Sequence, residues 1–151
     1  MIGFASALTL ITLISIVLAQ EPIRYMPFGD SITDYGCWRP WVGQQLEANG
    51  FNVDFVGSRE AQATCGSLDY DLNHEGHPGN PAVDIARDNL LVGWLEASPA
   101  EIITMHLGTV DIVRSSRATG EILDAYTKLV GQMRDSNPAM KIIVRSSPCA
   151  L

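Results

Sequence analysis

The stretch MPFGDSITDYG, Met26 to Gly36, decides how the rest of the chain is read. It closes an apolar run and sets Ser31 between Gly29 and Gly36. A serine hydroxyl in such a turn attacks an acyl group only when a base, an orienting acid and oxyanion donors stand beside it. The remaining residues must supply those parts.

Moving outward, strand and helix patterns alternate. IRYMPF (Ile23–Phe28) reads as a first strand that runs into the serine turn. A helix is expected from near Arg39, with Pro40 in its first turn, to the stop signal Asn49-Gly50. NVDFVG (Asn52–Gly57) gives a short second strand. Val83, Ala86, Leu90 and Trp94 recur at helical spacing and predict a helix over Ala82–Leu95. EIITMHL (Glu101–Leu107) reads as a strand covered on both faces. Ile122, Tyr126, Leu129, Val130 and Met133 mark a further helix ending before Asn137-Pro138, and KIIV (Lys141–Val144) a last strand. This order predicts a flavodoxin-like, three-layer α/β/α fold with a parallel sheet. In such sheets ligands sit beyond the carboxyl ends of the strands. There fall GDSITDYG after the first strand, HEGHPG in a loop before the second helix, and GTVDI after the third strand.

Residues 2–19 carry no charge and end in Val17-Leu18-Ala19, the small-residue pattern of a secretory signal peptide. An uncleaved membrane anchor is the competing reading. On the signal reading, residues 20–151 form one domain that is secreted, extracellular and free of the membrane after cleavage. Net charge is −7, with no Lys/Arg cluster, which argues against nucleic acid or an anionic membrane surface as partner. A neutral substrate such as a sugar ester suits this balance. Of the 3 cysteines, Cys37 and Cys65 lie in two predicted loops and are placed to pair, which would stabilise the chain by about 3 to 4 kcal/mol. Three free thiols are the alternative. Cys149 is left over.

The segments together resemble a family. FGDSITDYG matches the first motif of the SGNH, or GDSL, hydrolases, with Ser31 in the nucleophile position. NHEGHPG with AVDIA, then MHLGTVDI, resemble the second and third motifs as they occur in secreted, fungal-type esterases that deacetylate xylan and related glycans. The resemblance spans essentially Ile23–Val144, and three motifs in order are far more specific than the first alone. It implies that Ser31 attacks the ester carbonyl and that its backbone N–H is one oxyanion donor. Gly79, rather than Gly76, would be the second. The third donor is an asparagine side chain in the family, but here that position is Val110, which cannot donate. Losing one such donor costs about 10² to 10³ in rate.

The family's Asp-x-x-His segment, which supplies acid and base, has no counterpart, since no histidine follows His106. The domain is therefore expected to be cut short before that segment, with a last strand and helix missing and an apolar edge strand left open. Such a chain is expected to be marginally stable. The implied function is hydrolysis of carboxylic esters on acetylated carbohydrate, small or polymeric, through Ser31, impaired or absent in this chain. The alternative is a secreted glycan-binding protein on a degenerate hydrolase fold. A phosphate- or flavin-binding domain is disfavoured by the lack of a P-loop or Gly-x-Gly-x-x-Gly pattern.

The other polar candidates have plainer readings. His77 could act as a substitute base, but a rim histidine shaping the pocket is favoured. His74 and His77 lack the helical spacing and third ligand of a zinc site, so neither metal nor cofactor is expected. Asp30 and Asp34 beside Ser31 are explained by turn polarity and capping, with Asp30 at the pocket. Asp111 is expected to bond local backbone. Among the tryptophans, Trp94 is assigned to the core, and Trp38, beside the serine turn, is held for substrate.

Overall fold

The computed structural model describes residues 21–60, 65 and 70–145. The signal segment and Cys149 lie outside them. The sheet is built around β1 (Ile23–Gly29), whose last five residues are buried. Ser31–Asp34 forms the one-turn helix α1, and Trp38–Ala48 forms α2, ending at the expected Asn49 cap. There follow β2 (Val53–Phe55), β3 (Arg59–Glu60) and β4 (Asn73–Gly76). Helices α3 (Ala82–Arg87) and α4 (Leu90–Ala97) precede β5 (Ile102–His106). Helices α5 (Thr109–Val113) and α6 (Thr119–Ser136) precede β6 (Lys141–Arg145).

Strand order is β3-β4-β1-β5-β6, and β2 also pairs with β1. The first half of β1 pairs with β2 and its last two residues with β4, on parallel ladders. β5 runs parallel to both β1 and β6. The sheet is not wholly parallel, however, because β3 runs antiparallel to β4.

Alternation along β1 divides the two faces. Met26 and Phe28 enter the main core with Ile85, Leu91, Leu95, Ile103, Met105, Leu129 and Met133, under α3, α4 and α6. Tyr25 points the other way and meets Phe55 edge to face at 5.0 Å, beside α2. Helices thus cover both faces. Arg39 on α2 is 1% exposed, and its guanidinium donates to the carbonyls of Thr33 and Asp34 at the end of α1.

Two elements depart from the sequence reading. HEGHPG is not all loop: Asn73–Gly76 is a strand. His and Glu are poor strand markers, and they are tolerated here because Glu75 accepts from Ser58 and His74 Nδ1 accepts from Gly76 N–H. The helix expected over Ala82–Leu95 is two helices, broken where Asn89 adopts a left-handed conformation with φ 54°. Asparagine tolerates that region, and its carbonyl accepts from Gln132 on α6. The break lets Leu91 and Leu95 stay fully buried while α3 takes its own direction.

At the sheet edge, β6 pairs only with β5 among the described residues. Ile143 and Val144 on it are 56% and 47% exposed. Among the described residues no helix is long and apolar enough to cross a membrane.

Candidate active site

Register brings the three motif segments together. Gly29, the last residue of β1, pairs with Gly76 of β4 on one side and His106 of β5 on the other. The loops that follow therefore leave one edge side by side. They carry Ser31, His77–Gly79 and Gly108–Val110. Packing at this edge is close. A β-carbon on Gly29 would stand 2.4 Å from the His106 carbonyl, and one on Gly76 would stand 2.7 Å from the Asp34 nitrogen. Glycine is required wherever backbones meet at that distance.

Ser31 opens α1 and is half-buried. Asp30 caps this turn: one carboxylate oxygen accepts from Ile32 N–H at 2.9 Å, and its carbonyl accepts from Thr33 and Asp34 N–H. Asp30 is fully buried, and its second oxygen has no partner among the described residues. Neither the hydroxyl nor the N–H of Ser31 is taken by another described residue.

The two second-motif glycines differ in how their N–H groups are used. Gly76 N–H donates to His74 Nδ1 at 3.0 Å and is buried, so it is already committed. Gly79 is half-buried, turns the loop at φ +83°, and its N–H has no acceptor among the described residues.

His77 does not meet Ser31 in a hydrogen bond. Its Nε2 lies 2.5 Å from Glu75 Oε1, its ring stacks on Trp94 at 3.9 Å, and its N–H donates to the Gly29 carbonyl at 2.8 Å. Burial alone would push the Glu75 carboxyl up, but hydrogen bonds from His77 and from the hydroxyl and N–H of Ser58 outweigh it and hold it below the usual value. Trp94 therefore has two duties. It packs on the core beside Phe28, as its helical spacing suggests, and it also fixes the plane of His77.

His74 is fully buried with Nε2 3.2 Å from Asp34, and burial lowers its pKa to about 4, so it is neutral at pH 7. Asp34 also faces Arg59 at 3.9 Å. His106 ends β5 half-buried; burial lowers its pKa against the pull of Asp30. Among the described residues no group of three metal-ligating side chains is assembled.

In the third segment Val110 is buried, 6% exposed, and offers no hydrogen bond from its side chain. Asp111 corrects the local reading. Its oxygens accept from Ala82 N–H at 2.7 Å and Val83 N–H at 3.0 Å, far away in sequence. Pro81, at the N-cap of α3, has no side chain that can do this, so Asp111 caps α3 from outside and locks the third motif to the second. Sequence spacing holds no signal for such a bond. Glu75 and Ser58 escaped notice for the same reason.

Trp38 starts α2 half-buried, with the Arg39 guanidinium 5.7 Å from its ring; Trp41 is exposed. Cys37 and Cys65 form a disulfide that ties the start of α2 to the segment before Tyr70.

A model of the GDSL-like lipase/acylhydrolase family matches residues 28–150. A carbohydrate esterase family 3 structure from Talaromyces cellulolyticus shares 40% identity at a TM-score of 0.76, over 81% of this chain and 60% of that one. A family 3 carbohydrate esterase from Clostridium thermocellum shares 26% identity at a TM-score of 0.70, over 82% of this chain and 61% of that one. AlinE4, an SGNH-hydrolase family esterase, is alike in fold at 17% identity and a TM-score of 0.62, over 87% of this chain and 64% of that one. This chain thus spans less than two thirds of the length of these structures. No relative is found among curated protein sequences. The motif order, the glycine-lined sheet edge and the family match together assign the chain to the GDSL-like lipase/acylhydrolase family.

Proposed function

We propose that residues 20–151 form the nucleophile-bearing part of a secreted carboxylic-ester hydrolase that acts on acetylated carbohydrate, with Ser31 attacking the acyl carbon. One observation carries this reading. The three motif loops leave the sheet at adjacent positions around Gly29, so that Ser31 N–H and Gly79 N–H, both uncommitted, accompany the Ser31 hydroxyl at one edge. Two such amides can stabilise charge that develops on a carbonyl oxygen. The family 3 carbohydrate esterases to which the chain is similar motivate the carbohydrate ester. Secretion rests on the residue 2–19 segment and agrees with a disulfide between Cys37 and Cys65.

Among the described residues neither His77 nor His74 is free to serve Ser31 as general base. His77 is held by Glu75 and Trp94, and His74 by Asp34 and Gly76. Without a general base, binding and oxyanion donors leave on the order of 10³ to 10⁴ over water in serine enzymes stripped of triad members. Val110 in the third donor position lowers that figure further.

Val110 also favours a second reading, glycan binding without cleavage, because it stands inside the third motif where the family has its donor asparagine. Acetate release from acetylated xylan, compared between the parent chain and Ser31→Ala, separates the two. Ser31-dependent release supports hydrolysis. Saturable binding to xylan with no release above Ser31→Ala supports the binding protein.

A further inference from the structure

We propose that Arg114 supplies the oxyanion contact that Val110 lacks, reaching the acyl oxygen from one helical turn further on. The inference rests on the reading of Ser31 as nucleophile. Arg114 is the C-cap of α5, four residues after Val110, and its N–H donates to the Val110 carbonyl at 3.1 Å, so both lie on one face of the turn. Helical side chains lean toward the N-terminus, which carries the longer Arg114 back over the Val110 position.

Its guanidinium ends where the second donor stands. A β-carbon built on Gly79 would lie 3.6 Å from Arg114 Nη1, and no other neighbour comes within 4 Å. Gly79 is thus roofed by a cation rather than by packing. Most other arginines are engaged: Arg59 faces Asp34, Arg87 and Arg117 share Asp84, and Arg39 and Arg134 bind carbonyls. Arg114 is exposed and its side chain has no acceptor among the described residues. Beside Gly79, that guanidinium is placed to meet an oxygen that becomes negative during reaction.

The test is the rate at which diethyl p-nitrophenyl phosphate labels Ser31, read by peptide mass mapping and p-nitrophenolate release. The Ser31 Oγ–P bond forms, the P–O bond to p-nitrophenolate breaks, and the serine proton passes to buffer. The phosphoryl oxygen takes the place of the acyl oxygen, and buffer takes the serine proton in every variant alike, so the comparison reads the oxyanion contact. Arg114→Ala should slow labelling at least about tenfold. Arg114→Lys should fall between, since it keeps the charge without the fork. Adding Val110→Asn to Arg114→Ala should restore the rate, because the amide fills the same place. Arg114 is exposed, so its replacement leaves the fold intact.

Labelling of Arg114→Ala at the parent rate overturns the proposal and leaves Ser31 as nucleophile. Labelling that begins only with Val110→Asn does the same. If neither the parent nor Val110→Asn labels faster than Ser31→Ala, the nucleophile reading falls and the role of Arg114 falls with it.

Discussion

Asp111 shows how much of this site depends on single side chains that do no chemistry. Its two oxygens satisfy the first N–H groups of α3, and Ala82, one of the donors, is fully buried. Asp111→Ala leaves both donors unmet and should cost about 3 kcal/mol in denaturant unfolding, whereas Asp111→Asn, which keeps one acceptor, should cost less. His74 makes the fold sensitive to acid. Its folded pKa of about 4 lies below the unfolded value of 6.5, so the unfolded chain binds more protons between those limits. The stabilisation is complete above about pH 6.5 and is lost as pH falls toward 4, by up to about 3 kcal/mol. Glu75 acts in the same direction, since its depressed pKa removes stability as the carboxylate protonates. Melting temperature followed from pH 7 to pH 4 should drop steadily, and His74→Gln should flatten the upper part of that slope. The loops that carry the serine, the second-motif glycine and the valine were placed at one sheet edge by the motifs and the strand order, and the register brings them there. The contacts of Asp111, Glu75 and Arg39 could not be read from the sequence, because each partner is met only after the chain has folded.

Among the elements, β1 does most to build the site, since its last residue is flanked by both neighbouring strands. A β-carbon on Gly29 would stand 2.1 Å from Thr33 Oγ1 and 2.4 Å from the His106 carbonyl, so Gly29→Ala should push α1 off the edge. It should cost about 3 kcal/mol or more and remove Ser31 reactivity together with stability. The helix break offers a gentler test. Asn89→Ala forces alanine to φ 54° and should cost about 1 kcal/mol, while Asn89→Gly relieves the backbone at the expense of the Gln132 contact. Helix α6 was legible because its buried Ala125, Leu129 and Met133 recur at every fourth position. β4 was not, because its side chains are polar and half of its reason to be a strand is Ser58 on the neighbouring segment.

For the whole molecule, the main core lies under α3, α4 and α6, whereas the far edge at β6 shows Ile143 and Val144 to solvent. Among the described residues nothing pairs with the outer side of β6, and an apolar edge strand with open backbone groups invites pairing between chains. Ile143→Lys should reduce concentration-dependent light scattering of the chain without changing β5–β6 pairing, and an unchanged scattering profile would count against an edge-driven process. The fold class was readable from strand–helix alternation, and the positions of the three loops followed from it. The antiparallel β3 was not, being two residues long. The central claim is that this sheet edge presents Ser31 to an ester. It is tested most directly by incubating the chain with p-nitrophenyl acetate and mapping the acetyl group by mass spectrometry. Acetyl on Ser31 in the folded chain, lost in denaturant and absent from Ser31→Ala, is the predicted result. Ser31 acetylated no faster in the folded chain than in the unfolded one would contradict it.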